Sequence, residues 1–123
     1  MPFQGFNGYW SFSRSSTLVP FKTVYFLPMA AYLFVNIEVK DQTAYAEYRK
    51  GVSPMIYKHG GEYLARGGAA ELIEGDWTPS RVVLLKFPDM TALKAFLDDP
   101  EYQPLKDLRL RAADTQMLAV EGI

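Results

Sequence analysis

Two strongly apolar strand-like segments, each leading into a helical stretch, and a third apolar segment near the C-terminus predict an α+β fold of order β-α-β-β-α-β. This is the ferredoxin-like pattern, a four-stranded antiparallel sheet with helices on one face. At 123 residues the chain is long enough for one domain, and its 49% hydrophobic and 22% charged residues match globular averages. Global disorder and fibrous repeats are excluded on that ground.

Ala31 to Val39, AYLFVNIEV, is rich in β-branched and aromatic residues and forms the first strand, and Asp41 can cap the helix that follows. Tyr45, Tyr48, Val52, Met55 and Ile56 then recur at helical spacing, and Gly60-Gly61 ends the helix. Pro54 lies inside it and predicts a kink or a break, because proline removes a backbone bond and clashes with the preceding turn. Glu62 to Arg66 and Ala70 to Glu74 read as two short strands, or as one strand bulged at Gly67-Gly68. Gly75 to Pro79 is a turn. Ser80 to Phe87, SRVVLLKF, is the next apolar strand, and Pro88-Asp89 opens a helix whose buried face is Met90, Leu93, Phe96 and Leu97. Pro100 ends that helix, Glu101 to Ala112 continues as a further helical piece with Tyr102, Leu105 and Leu108 on one side, and Thr115 to Val120 is the last strand.

A sheet with helices on one face should alternate to polar on the other if that face met water. Here Leu33, Val35 and Ile37 oppose Tyr32 and Phe34, and Val83, Leu85 and Phe87 oppose Val82 and Leu84, so both faces are apolar. The expected solution is a homodimer with the sheets face to face.

The first 28 residues differ from the rest. They contain Phe3, Phe6, Tyr9, Trp10, Phe12, Phe21, Tyr25 and Phe26 but only Arg14 and Lys22 as charges, whereas all 14 acidic residues fall at Glu38 or later. Residues 1–28 are therefore read as an extension outside the domain of residues 29–123, with Met29 as the expected natural start. Pro20, Lys22 and Pro28 interrupt the apolar run of Leu18 to Leu27, which suits neither a signal peptide nor a membrane span. A cytoplasmic protein without a membrane partner is the expectation. With 13 basic against 14 acidic residues and no basic run, nucleic acid is not an expected partner either. The chain has no cysteine, so thiol nucleophiles, iron–sulfur clusters and cysteine zinc sites are excluded.

Among residues able to carry chemistry, His59 is the lone histidine and a candidate general base, although its place in the last turn of a helix equally suits a solvated helix end. It has no HxxxH or HxH companion, so neither metal nor cofactor is expected. Arg66-Gly67-Gly68 sets a guanidinium fork beside flexible backbone N–H donors, a combination suited to a carboxylate or phosphate. Its structural alternative is a bulge with Arg66 paired to Glu62 or Glu74. Arg81 and Arg109 could add positive charge nearby. Tyr45, Tyr48, Trp77 and Tyr102 are amphipathic rings able to line a pocket between helices and sheet, or simply to pack in the core. No GxSxG or other nucleophile-and-base set occurs.

The stretches YAEYRKGVSPMIYKHGGEYLARGG, LIEGDWTPSRVVLLKFPD and LDDPEYQPLKDLRLRAA carry a resemblance to a known family. Their most specific parts are Gly60-Gly61, Arg66-Gly67-Gly68, Glu74-Gly75-Asp76-Trp77, Arg81, Phe87-Pro88, Glu101-Tyr102 and Arg109. From Ala31 to Gly122 the chain resembles the domain of unknown function family numbered 1330, within the dimeric α+β barrel superfamily. The resemblance implies the ferredoxin-like fold and the face-to-face dimer but no reaction. Two readings follow. In one, the chain resembles the cofactor-independent monooxygenases or isomerases of that superfamily. Arg66 would then hold an anionic group, Tyr45, Tyr48, Trp77 and Tyr102 would line the pocket, and His59 or a tyrosine such as Tyr48 would move a proton. In the other, it is a non-catalytic module that binds a small metabolite.

Overall fold

The structure, a computed structural model, describes residues 29–123, and the aromatic N-terminal segment lies outside them. The elements run β1 (Ala31–Val39), α1 (Gln42–Lys58), β2 (Glu62–Arg66), β3 (Arg81–Phe87), α2 (Met90–Asp98), α3 (Gln103–Ala112) and β4 (Ala113–Glu121). The sheet order is β2-β3-β1-β4 with each neighbouring pair antiparallel. This is the ferredoxin-like topology that the order of elements predicted.

Capping fixes where the first two helices start. The Asp41 carboxylate accepts from the Ala44 N–H at 3.1 Å, and Asp89 from Ala92 at 2.8 Å. From there Tyr45, Tyr48, Val52, Met55 and Ile56 of α1 descend onto Leu33, Val35 and Ile37 of β1 and Val83 and Leu85 of β3, while α2 contributes Leu93 and Phe96. Phe96 stacks on Phe87 and tilts against Tyr102, at 5.5 and 4.7 Å between ring centroids. α1 and α3 meet at Gly51, where any side chain would strike Leu105.

Three local expectations are corrected. α1 continues through Pro54 as one helix. Proline there leaves the Lys50 carbonyl without its helical donor, but both residues lie on the exposed side, where water can satisfy the oxygen. Ala70 to Glu74 is not a strand: β2 ends at Arg66, and Gly67, at φ 74°, turns the backbone out of the sheet. The bulge lies earlier than the glycine pair, between Tyr63 and Ala65. Because of it Tyr63 and Arg66, three residues apart, pair with Leu85 and Val83 and so share the helix-facing side.

The other side of the sheet carries Tyr32, Phe34, Val82 and Leu84, half-buried, and Leu118 and Val120, exposed. Both faces are thus apolar, as the strand pattern indicated. Among the described residues no helix is long and apolar enough to cross a membrane.

Candidate functional site

Between α1 and the sheet lies a cavity of ≈ 40 Å³. Its apolar and aromatic walls come from β1 (Leu33, Val35, Ile37), α1 (Tyr45, Tyr48, Val52, Ile56) and β3 (Val83, Leu85), with Tyr63, Phe96, Tyr102 and Met117, and Arg49, Arg66 and Arg81 complete the lining. Beside it a more open recess of ≈ 350 Å³ is bounded by Glu38, Val39, Gln42, Gly67 and Ser80. Ile37, Tyr45, Arg49 and Arg81 border both spaces and form the throat between them. The inner space has room for only a few waters, so a ligand's body must occupy throat and recess with one end reaching inward.

Three guanidinium groups gather here, those of Arg49 and Arg81 at the throat and that of Arg66 on the wall of the inner cavity. Arg81 donates from Nε to the Tyr45 hydroxyl at 3.1 Å and reaches the Arg66 carbonyl at 3.5 Å. Arg66 donates to Ser53 Oγ at 3.1 Å and lies over the Tyr63 ring, 4.2 Å from its centroid. Arg49 lines both spaces from α1. Among the described residues none of the three forms an ion pair; the salt bridges there belong to Lys40, Lys58 and His59. The alternative pairing of Arg66 with Glu62 or Glu74 is therefore absent among them. Like charges held together without a carboxylate favour an anion from outside, since arginine forks match carboxylate and phosphate geometry.

Gly67 serves this cluster differently from the expected anion cradle. Its N–H is already given to the Val82 carbonyl at 2.8 Å, so it is not a free donor. What it provides is space, because a Cβ at Gly67 would collide with the Arg81 guanidinium. Gly68 is exposed and borders neither space.

Deeper in, the Tyr48 and Tyr102 hydroxyls lie 3.2 Å apart, and Arg109 Nε donates to Tyr102 at 3.3 Å. Tyr102 is wholly buried, and Tyr48 and Arg109 nearly so. Burial, reinforced by Tyr102, pushes the Tyr48 phenol well above its ordinary pKa, which favours its protonated form. Arg109 belongs to this buried chain and adds no charge at the throat.

His59 and Trp77 lie elsewhere. His59 Nε2 is 2.8 Å from Asp99 Oδ2, the oxygen that Lys58 Nζ also meets at 2.9 Å, and the imidazole edges onto Phe96. The bond to His59, the Glu101 N–H and Lys58 together hold the Asp99 carboxyl well below the usual range. His59 thus ties the end of α1 to the α2–α3 turn, outside the cavity lining. Trp77 stands on the opposite face of the sheet, edge-on to Phe34 at 6.5 Å, and does not join the other tyrosine-lined walls. Sequence reasoning missed Arg49, Ser53 and Tyr63. Arg49 is one turn beyond Tyr45, which was a usable signal, whereas Tyr63 depends on an unforeseen bulge. Among the described residues no three His, Cys, Asp or Glu side chains gather closely enough to hold a metal ion.

Fold and site together define a ferredoxin-like domain with an arginine-rimmed cavity between helices and sheet. The family model described as "Domain of unknown function (DUF1330)" matches residues 30–123, and the chain belongs to that family. None of the curated proteins matches it. Among solved structures, a protein of unknown function from Rhodopseudomonas palustris is similar at TM-score 0.65 and 18% identity, covering 77% of this chain and 83% of that one. SnoaB, a cofactor-independent oxygenase from Streptomyces nogalater, is similar at TM-score 0.57 and 12% identity over 77% and 94%. A dimeric ferredoxin-like protein of unknown function from Jannaschia sp. CCS1 is similar at TM-score 0.53 and 14% identity over 76% and 99%.

Proposed function

We propose that the chain binds a small carboxylate with a planar, largely apolar body, such as an aromatic acid. Its anionic group would rest among Arg49, Arg66 and Arg81, and its body in the throat against Tyr45. The observation that carries this reading is the trio of guanidinium groups without a carboxylate partner among the described residues, beside an apolar cavity. Hydrogen bonds to charged groups contribute about 1.5–3 kcal/mol each, enough for one arginine to change affinity at least tenfold. The inner cavity is lined by no carboxylate and no imidazole, and the one carboxylate of the outer recess is Glu38, which favours binding over proton abstraction at the ligand's inner end. Turnover of the oxygenase or isomerase kind is the second reading, supported by the fold shared with SnoaB.

Titration calorimetry with benzoate tests the binding reading. Saturable binding is expected, weakened tenfold or more in Arg66→Ala and Arg81→Ala. Equal affinity in the variants, or no binding by any of a panel of small carboxylates, phosphates and phenols, would overturn it.

The apolar outer sheet face supports a second part of the proposal, a homodimer through Tyr32, Phe34, Leu84, Leu118 and Val120. That the Jannaschia protein, of similar fold, is dimeric also supports it. Light scattering should give twice the chain mass at micromolar concentration, and Leu118→Lys should halve it; a wild-type mass of one chain contradicts the pairing.

A further inference from the structure

In the buried chain Arg109–Tyr102–Tyr48, burial favours one direction. Arg109 Nε can only donate, and it donates to the Tyr102 oxygen. Either hydroxyl could donate across the 3.2 Å contact between Tyr102 and Tyr48, but both line the cavity and only Tyr48 keeps any exposure, 6% against 0%, which favours Tyr102 giving its proton to the Tyr48 oxygen. The Tyr48 oxygen is thereby an acceptor, and its proton is left without a protein partner. Tyr48 is 6% exposed and lines the inner cavity, which is where that proton can be given.

We infer that Tyr48 is a fixed hydrogen-bond donor to the inner end of the ligand, and that this end is a carbonyl, enolate or phenolate oxygen. Arg109 and Tyr102 are positioning residues. They orient the phenol from behind, and the guanidinium charge, two hydroxyls away, strengthens the donor as negative charge builds on the bound oxygen. The space agrees with this assignment, since the inner cavity admits a polar terminus rather than a ring. The complete ligand class, an acid with an oxygen acceptor at the end remote from its carboxylate, rests on the binding reading above. The donor itself does not.

Acetophenone labelled with ¹³C at the carbonyl separates the two, because it has the acceptor and lacks the carboxylate. Bound to the full chain, its carbonyl stretch should move to lower frequency than in cyclohexane. In Tyr48→Phe the ketone should still bind with the stretch returned toward the cyclohexane value. Tyr102→Phe and Arg109→Gln should give smaller displacements than wild type at similar occupancy. An undisplaced carbonyl in the wild type, a displacement unchanged in Tyr48→Phe, or failure of acetophenone to bind would overturn the assignment. A displaced carbonyl together with no benzoate binding would uphold the donor and sink the carboxylate reading. In a second measurement 2-, 3- or 4-acetylbenzoate should bind about tenfold more tightly than the matching ethylbenzoate, a preference lost in Tyr48→Phe. Equal affinity across all three pairs would count against the donor.

Discussion

Two parts of α1 carry the same kind of charge and treat it oppositely. At the C-terminal end Lys58 and His59 converge on one carboxylate oxygen of Asp99, whose other oxygen accepts the Glu101 N–H at 2.8 Å. The Lys58 ammonium and the His59 imidazole there meet a buried acid, and the result is a clamp between α1 and the α2–α3 turn. Near the middle of the helix Arg49 joins Arg66 and Arg81 with no carboxylate partner among the described residues, beside a cavity. Compensated charge marks the C-terminal end of this helix, and uncompensated charge the part that the proposal above assigns to binding. The lone histidine, the conspicuous candidate in the sequence, falls on the structural side.

Phe96 is the wall common to both parts, because it lines the cavity and supports the His59 ring. Phe96→Ala should therefore break the comparison altogether. It is expected to cost about 3–5 kcal/mol in denaturant unfolding and to weaken benzoate binding as well. Gly67→Val should act on the binding part alone. It forces a β-branched residue into a left-handed conformation and displaces Arg81, for an expected loss of about 1–3 kcal/mol and of benzoate affinity.

Asp99→Asn should act only on the clamp, lowering Tm at neutral pH while leaving benzoate affinity unchanged. Its pH dependence has a definite sign. The folded-state pKa lies below the ordinary 3.8, so the stabilisation is fully present above that value and is lost as pH falls below it. In the variant the decline of Tm below pH 4 should be shallower than in the wild type. The smallest stability effect is expected for Arg66→Ala. An exposed guanidinium with no ion pair among the described residues should change stability by no more than about 0.5 kcal/mol, while removing most of the benzoate affinity. A large loss of stability in Arg66→Ala would place that arginine with the structural group.

The order of elements was legible because β1 and β3 are short apolar runs rich in β-branched and aromatic residues, α1 has apolar spacings of three and four, and Asp41 and Asp89 stand where helices start. The tyrosines and arginines of the cavity were legible as residue types, but their grouping was not. Whether Tyr63 and Arg66 share a face depends on the bulge between Tyr63 and Ala65, a one-residue shift that strand composition does not encode. Trp77 misled for a related reason. It lies in the connection between β2 and β3, whose path is set by the Ser80 N–H bond to Asn36 and by contact with Phe34, both remote in sequence. The pairing of His59 was not legible either, because its partner Asp99 lies 40 residues later in the chain.

The contrast between the two parts of α1 is tested most directly by ¹⁵N spectra of the arginine Nε–H and histidine ring groups during a benzoate titration. The account predicts saturable shifts at Arg66 and Arg81, with the His59 ring signals unmoved. Shifts at His59 with none at the two arginines would contradict it.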